Sequence, residues 1–145
     1  MLTHDKDQTV LTLMQLDDVI ETNFKWVHPE TTLGEMLHKS VAKSTRNIFP
    51  VVDDKKALLG IVLLDDIREF MFDTTLYEST TVETFMHAAP EHIFYEKDSM
   101  QQVMQKFQDS GAWNLPVIKD GKYLGFVSKS KLLTAYRRKL ITFTK

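Results

Sequence analysis

The chain has 145 residues, of which 43% are apolar and 26% charged, and its formal net charge at pH 7 is −2. These values are ordinary for a soluble protein, and they exclude a global field that favours nucleic acid or acidic lipid. The absence of cysteine excludes a disulfide framework and a thiolate metal site, and it fits a reducing compartment. No signal peptide is evident, and no run reaches the ~20 apolar residues of a membrane helix. We expect one compact domain or two very small ones, with any membrane part outside this chain.

The first half of the chain predicts a short strand followed by a helix. Residues 1–9 are polar and are expected to fray, whereas residues 10–20 show a loose helical spacing of apolar groups. Residues 24–27 are aromatic and β-branched, which favours a strand. A helix then begins at Thr32, because Thr32-x-x-Glu35 is a capping box in which hydroxyl and carboxylate each satisfy a free backbone N–H.

A hairpin and a second helix follow. Residues 49–52 and 58–63 are apolar strand segments, and the polar residues 53–56 form the turn between them. Asp65 or Asp66 is predicted to begin the next helix, as a cap or as a partner of the helix dipole. The predicted inward face of that helix comprises Ile67, Phe70 and Met71.

The second half repeats the same order of elements. Residues 93–95 form the short strand, and Ser99-x-x-Gln102 is again a capping box. The dipeptide Ser110-Gly111 ends the helix. The second hairpin turns on Asp120-Gly121, a dipeptide that suits a type I′ turn because both central residues need positive φ.

Fixed spacings show that the two halves are a duplication. Pro116 follows Pro50 by 66 residues, and Gly125 follows Gly60 by 65. We predict an α/β (α+β) fold of two repeats, residues 10–73 and 82–140, each strand-helix-strand-strand-helix, joined by a linker at residues 74–81. Each repeat is marginal in size. We therefore expect the repeats to bury apolar faces against each other about a pseudo-twofold axis and to unfold together.

The repeated hairpin, an apolar-Pro-Val-Val/Ile strand and then Leu-Gly-apolar-apolar leading into a helix, resembles a tandem pair of CBS domains, a Bateman module. A closer resemblance is to the cytoplasmic CBS pair of bacterial CLC-type chloride channels and transporters. The stretches that carry it are residues 46–52, 110–117 and 125–131. The resemblance implies a module on the cytoplasmic side of a membrane protein, or a free cytoplasmic one. CBS pairs are also found on other ion transporters, metabolic enzymes and kinase subunits.

The resemblance also implies a ligand site. Family members often bind adenine nucleotides through Gly-apolar-apolar-Ser/Thr-x-x-Asp, where the hydroxyl meets phosphate or ribose and the carboxylate accepts from the ribose diol. The first copy has Leu63 in place of the hydroxyl but keeps Asp66. The second copy keeps Ser128 but has Lys131 in place of the carboxylate, and an ammonium group has no acceptor.

In the family, the helix of one repeat can work with the hairpin strand of the other. The resemblance therefore implies two nucleotide-binding sets, which are Asp66 with Asn114, Leu115 and Pro116, and Ser128 and Lys131 with Ile48, Phe49 and Pro50. Lys131 would then hold a phosphate.

Structural roles compete with these binding roles. In this interpretation, Asp66 at a helix start serves only as a cap, and Ser128 or Ser130 caps the last helix. Lys131 is then a solvated surface charge, and Asn114 serves only a turn. Phe49 and Trp113 are core or interface residues more often than platforms for a base.

Other chemistry has little support in the sequence. The five histidines, His4, His28, His38, His87 and His92, show no metal-ligand spacing, so we predict no metal site. No nucleophile elbow, P-loop or acid–base constellation is visible, and we expect no enzymatic activity. The basic residues 137–139 suit a helix C-terminus or a weak lipid-headgroup contact.

Two functional hypotheses follow. In the first, the chain is a regulatory module that needs no cofactor, senses AMP, ADP or ATP, and passes the signal to a membrane ion-transport domain by population shift. In the second, it is a structural dimerisation module with degenerate sites. Both predict a homodimer, with no nucleic-acid partner and no direct membrane insertion. The apolar surface for self-association is predicted near Phe70, Phe72, Tyr136 and Phe143.

Overall fold

The computed structural model describes the backbone of residues 4–144 and the side chains of residues 9–142. The fold is mixed α+β, as predicted. Its strands and helices are, in chain order, α1 His4–Leu13, β1 Ile20–Glu21, α2 Leu33–Glu35 with a π-helical continuation Met36–Val41, β2 Ile48–Val52, β3 Leu58–Leu63, α3 Leu64–Ile67, β4 Ile93–Phe94, α4 Met100–Ser110, β5 Asn114–Lys119, β6 Lys122–Ser128 and α5 Lys129–Thr144. Short 3-10 turns join several of them. No helix in this described part is both long and apolar enough to span a membrane.

The chain divides into two compact units that do not coincide with the two halves of the sequence. Unit 1 comprises residues 1–22, 90–120 and 124–145, and unit 2 comprises residues 23–89 and 121–123. The first strand of the chain therefore belongs to the unit built mainly from the second half. The repeat boundaries 10–73 and 82–140 remain a prediction about the sequence.

Unit 2 is built around the hairpin of β2 and β3. The two strands pair antiparallel from Ile48↔Leu63 to Val51↔Gly60, and an irregularity follows at Val52. The strands are rich in β-branched residues, which pack well on a pleated surface. The predicted strand at residues 24–27 is reduced to a single parallel bridge from Val27 to Val51. The buried core of this unit comprises Val27, Leu33, Met36, Leu37, Phe49, Val51, Val62, Ile67 and Val82.

Unit 1 holds a four-stranded sheet in the order β1-β6-β5-β4. Strand β1 pairs antiparallel with β6 through Ile20↔Val127, and β4 pairs parallel with β5 through Ile93↔Val117. Residues 20–21 are therefore a strand, where the sequence indicated helical spacing up to residue 20. The core beneath this sheet comprises Leu11, Met14, Val19, Ile93, Met100, Val103, Phe107, Leu115, Val117, Val127 and Leu132.

Local signals in the sequence predicted several element ends correctly. Ser99 and Gln102 form a complete capping box at the start of α4, and Gly111 ends that helix with a left-handed φ of 67°. Asp120 and Gly121 have φ values of 54° and 77°, as a type I′ turn requires.

The first capping box is only half formed. The Thr32 hydroxyl accepts from the Glu35 N–H at 3.2 Å. The Glu35 carboxylate accepts from the Thr32 hydroxyl at 3.4 Å, whereas in a complete capping box it would accept from the backbone N–H of Thr32. Thr32 is nevertheless the N-cap of α2, as predicted.

Two predictions about segment structure were wrong. Helix α1 begins at His4, within the stretch expected to fray. The helix after β3 begins at Leu64, and its N-cap is Leu63 instead of an aspartate. The linker at residues 74–81 remains a prediction, and within it the Thr80 carbonyl accepts from the N–H of Leu33 at 2.8 Å.

Candidate functional site

Each hairpin returns its second strand to the start of its first, and there the next helix begins. In unit 2 the Leu64 N–H donates to the Asn47 carbonyl at 2.8 Å, and in unit 1 the Lys129 N–H donates to the Trp113 carbonyl at 2.8 Å. We call these places the hairpin–helix junctions. Antiparallel pairing forces this proximity, because the first residue of one strand lies opposite the last residue of the next.

The junctions place each half-motif beside the hairpin of its own repeat. Asp66 follows Leu64 by two residues, so it adjoins the Asn47–Ile48 end of β2. Ser128 adjoins Trp113 and Asn114 in the same way. The expected grouping of Asp66 with residues 114–116 and of Ser128 with residues 48–50 remains a prediction.

Most of the hairpin residues proposed as ligand contacts are buried. Phe49 and Leu115 have no exposed surface, and Ile48 is 8% exposed. Pro50 and Pro116 are also buried. Their side chains belong to the cores, which confirms the core role of Phe49. The hairpin strands therefore position the site mainly through their backbone.

At the junction of unit 2, a carboxylate lies beside an imidazole. Asp66 Oδ2 is 3.3 Å from His87 Nε2, and both side chains are about half exposed. The N–H and carbonyl of His87 bond with those of Ile61, at 3.0 and 2.8 Å, and so fix its backbone. No local pattern singled out His87, because its pairing with Asp66 joins residues from the two halves.

The two motif glycines, Gly60 and Gly125, allow the second strand of each hairpin to lie close to a neighbouring segment of the chain. A Cβ added at Gly60 would lie 2.6 Å from Met86 Cγ and 2.8 Å from the His87 carbonyl oxygen. A Cβ added at Gly125 would overlap the Glu21 carbonyl oxygen. Both glycines thus leave room for a strand from the other half of the sequence.

At the junction of unit 1, a hydroxyl and two lysines replace the carboxylate. Ser128 Oγ accepts from the Lys131 N–H at 3.0 Å, which confirms that Ser128 caps α5. The Lys131 side chain is exposed. Lys129 Nζ lies 5.2 Å from the centre of the Trp113 ring. Trp113 itself is 70% exposed, so within this chain it is not a core residue.

Further predictions about polar residues are corrected here. Asp66 is not the cap of α3, because Leu63 occupies that position. The basic residues 137–139 do not end a helix, since α5 continues to Thr144. Two of them, Arg138 and Lys139, line a cavity of about 360 Å³ in unit 1 together with the Met14 and Val19 side chains.

The comparisons with known proteins agree with this architecture. The CBS domain family matches residues 16–73 and 82–138. The chain therefore belongs to the CBS domain family. It carries the domain twice, as a tandem pair. A search of curated proteins found no match.

Solved structures show the same fold. The chain is 22% identical to CbpB in complex with c-di-AMP, with a TM-score of 0.72, and the match covers 97% of this chain and 95% of that one. A CBS domain protein from Streptococcus pneumoniae is 20% identical, with a TM-score of 0.73, and the match covers 94% of each chain. The CBS domain of a bacterial CNNM/CorC family Mg²⁺ transporter in complex with ATP is 14% identical, with a TM-score of 0.73. That match covers 90% of this chain and 92% of the other.

Proposed function

We propose that this tandem CBS pair is a non-enzymatic regulatory module that binds an adenine nucleotide through its hairpin–helix junctions. The observation that carries the proposal is the Asp66 carboxylate. It lies on α3 directly after a hairpin, partly open to solvent, at the motif position for the ribose acceptor. The complexes of CbpB with c-di-AMP and of the CNNM/CorC domain with ATP support an adenine ligand.

The unit 2 junction suits the ribose. An ionised carboxylate is an acceptor only, and two adjacent ribose hydroxyls both donate to it. His87 lies on one side of this carboxylate and, when its Nε2 carries a proton, competes for one oxygen. A nucleotide therefore either replaces this contact or uses the second oxygen of Asp66.

The unit 1 junction is a separate candidate site, which lacks the ribose acceptor but suits a phosphate and a base. Ser128 Oγ already accepts a backbone hydrogen bond, but its own proton remains available to donate. Lys131 supplies an exposed ammonium group for phosphate. Trp113 presents a largely exposed ring, and stacking of a base on such a ring contributes about 1–3 kcal/mol.

Titration calorimetry of the 145-residue chain with AMP, ADP, ATP and c-di-AMP tests the proposal. We expect one nucleotide per chain. Asp66→Ala should weaken binding about ten- to a hundred-fold, because a hydrogen bond to a charged group contributes roughly 1.5–3 kcal/mol. The matched control is Asp65→Asn, which removes the neighbouring exposed carboxylate that pairs with Arg68 at 3.0 Å. Silence with every nucleotide would refute the adenine ligand, and equal affinity of wild type and Asp66→Ala would move the site elsewhere.

A narrower proposal is that the module regulates a CLC-type chloride channel or transporter. It rests on the resemblance of residues 46–52, 110–117 and 125–131. Nucleotide binding would favour one conformation of the module and so bias the transport domain. The coding sequence around this chain tests the proposal. A CLC-type membrane domain in the same protein would support it, and an unrelated partner would contradict it.

The alternative is a structural dimerisation module, and a specific observation favours it. Phe72 is 86% exposed, whereas Phe70 packs against Phe85 with ring centres 5.4 Å apart and Tyr136 packs on the core of unit 1. The Phe143 side chain lies outside the described residues. Sedimentation at tens of micromolar decides the question of association. A dimer lost in Phe72→Ser supports this surface, and a species of only 16.8 kDa contradicts it.

A further inference from the structure

Unit 2 contains a second polar cluster that uses none of the junction residues. One ring nitrogen of His28 and one carboxylate oxygen from each of Glu30 and Asp54 lie within 4.8 Å of one another. One imidazole and two carboxylates form a donor set that suits a borderline divalent ion. We propose that His28, Glu30 and Asp54 form a binding site for Zn²⁺ or a similar transition-metal ion.

Backbone pairing in the core of unit 2 brings these residues together. The Val27 N–H donates to the Pro50 carbonyl at 2.9 Å, and the Val52 N–H donates to the Val27 carbonyl at 2.9 Å. Val27 and Val52 are buried, at 4% and 0% exposure. His28 follows Val27 directly and Asp54 follows Val52 by two residues, so the two side chains are neighbours whether or not an ion is bound.

The orientation of the His28 ring is fixed by a hydrogen bond to the backbone. Its Nδ1 lies 2.8 Å from the Val52 carbonyl oxygen. A carbonyl oxygen only accepts, so Nδ1 carries the proton of this hydrogen bond. The neutral ring then has its lone pair on Nε2. Metal-binding histidines are commonly fixed in this way, by a backbone carbonyl that accepts from the other ring nitrogen.

The loop that carries Glu30 is also fixed. The His28 N–H donates to Thr31 Oγ1 at 3.1 Å, and the Thr31 N–H donates to the His28 carbonyl at 3.1 Å. The Pro29 carbonyl accepts from the Glu83 N–H at 3.0 Å. Glu30 therefore projects from a short loop tied at both ends, which reduces the backbone entropy lost when an ion binds.

The charges around the cluster favour a cation. Within the side chains that the structure describes, neither Glu30 nor Asp54 forms an ion pair. Lys56, on the same turn as Asp54, lies 4.2 Å from the centre of the Trp26 ring instead. The two carboxylate oxygens lie within 4.8 Å of each other and of a His28 ring nitrogen, and a divalent ion offsets the repulsion between the carboxylates.

The donor set also selects among ions. Ligand atoms around a tetrahedral zinc ion are about 3.3–3.6 Å apart, so the two exposed carboxylates need to swing inward by only about 1 Å. Ca²⁺ takes six to eight oxygen ligands, and Mg²⁺ keeps an octahedral shell of water and oxygen. Three donors that include an imidazole fit Zn²⁺ or Co²⁺ better, and they leave a fourth position for water or an external ligand.

Titration of the 145-residue chain with Zn²⁺ by calorimetry, and with Co²⁺ by visible absorption, tests the site. We expect one ion per chain and a Co²⁺ spectrum of low coordination number. His28→Ala, Glu30→Gln and Asp54→Asn should each weaken binding at least ten-fold. The matched control is His38→Ala, since His38 Nδ1 also lies 2.8 Å from a backbone carbonyl, that of Gly34. Asp65→Asn is the control for an exposed carboxylate, and both controls should keep wild-type affinity.

Each result decides for or against the proposal. Absence of stoichiometric binding overturns it, as does a loss in His38→Ala equal to that in His28→Ala. If His28→Ala does not fold, Glu30→Gln and Asp54→Asn decide, because both side chains are exposed and neither belongs to a core. Zn²⁺ should also shift the Nε2 resonance of His28 while its Nδ1 proton remains in place. A shift at His38 instead would contradict the assignment.

Discussion

The two hairpin–helix junctions have the same backbone arrangement but carry side chains of different charge. In unit 2 the helix after the hairpin carries Asp66, and the segment that passes Gly60 carries His87. In unit 1 the equivalent position, 65 residues later, carries Lys131, and the strand that passes Gly125 carries Glu21. The backbone contacts are the same in both units, so they belong to the fold. Ligand chemistry is then decided by a few side chains on this common frame.

The largest expected effect concerns the glycines. Gly125→Ala should lower the free energy of unfolding by about 3 kcal/mol, because the added methyl overlaps a backbone carbonyl. Gly60→Ala should cost less, about 1–2 kcal/mol, since part of its overlap is with the flexible Met86 side chain. Urea unfolding of both variants measures the difference. Equal losses of unfolding free energy in the two variants would show that the backbone is packed equally closely around Gly60 and Gly125.

The next prediction tests whether one charge separates the junctions. Lys131→Asp completes the Gly-apolar-apolar-Ser-x-x-Asp motif in unit 1. We expect a second nucleotide per chain, with binding at this junction strengthened about ten- to a hundred-fold by the new acceptor. Lys139→Asp, on the same helix, is the matched control for the change in charge. A stoichiometry of one in calorimetry would mean that the motif position alone does not create the site.

A smaller effect distinguishes the helix starts. Ser128→Ala should destabilise the chain by about 1 kcal/mol, because the Lys131 N–H loses its acceptor. Ser130→Ala, two residues later on an exposed position, should change the stability little. Thermal unfolding checks both variants. Unit 2 has no equivalent, because Leu63 at its N-cap offers no side-chain acceptor. Comparable losses for the two serines would argue against the cap.

The smallest effect concerns the hairpin turns. In unit 2, Asp53 Oδ1 accepts from its own turn, at Lys55 and Ala57. In unit 1, the Asp120 N–H donates to Glu96 at 2.8 Å, and this bond is the main reason why the pKa of Glu96 is lowered. A lowered pKa in the folded state stabilises the fold at pH values above the pKa of an unfolded Glu, about 4.3. This stabilisation is lost as the pH falls through the lowered pKa of the folded state.

Glu96→Gln should therefore reduce stability slightly at neutral pH, and the difference from wild type should vanish at acid pH. Thermal unfolding from pH 7 to pH 3 measures this trend, with Glu83→Gln as the control for an exposed carboxylate. A difference that stays constant with pH would indicate that the ionised carboxylate is not responsible.

Sequence reasoning succeeded at several element ends whose determinants are local. The capping box at Ser99, the left-handed Gly111 and the turn at Asp120 depend on residues only a few positions apart. The spacing of Pro50 and Pro116 identified the duplication, and the family match confirms a tandem CBS pair.

The site itself was only partly predictable. The motif identified Asp66 and Ser128, but their neighbours depend on pairing between distant strands. His87 approaches Asp66 only because it pairs with Ile61, 26 residues earlier in the chain. His28 meets Asp54 only through the bridge from Val27 to Val51. A spacing rule for metal ligands within one helix or loop does not detect such a pair.

The pairing of β1 with β6 has a consequence for the synthesis of the protein. Ile20 pairs with Val127, 107 residues later, so the first strand leaves the ribosome long before its partner exists. Most of unit 2, residues 23–89, is available earlier and can begin to fold while the remainder is translated. Until β6 appears, β1 has an unpaired edge, and the nascent chain is exposed to mispairing during that interval. Slow translation of residues 90–128 would lengthen this vulnerable period without changing any residue of the finished protein.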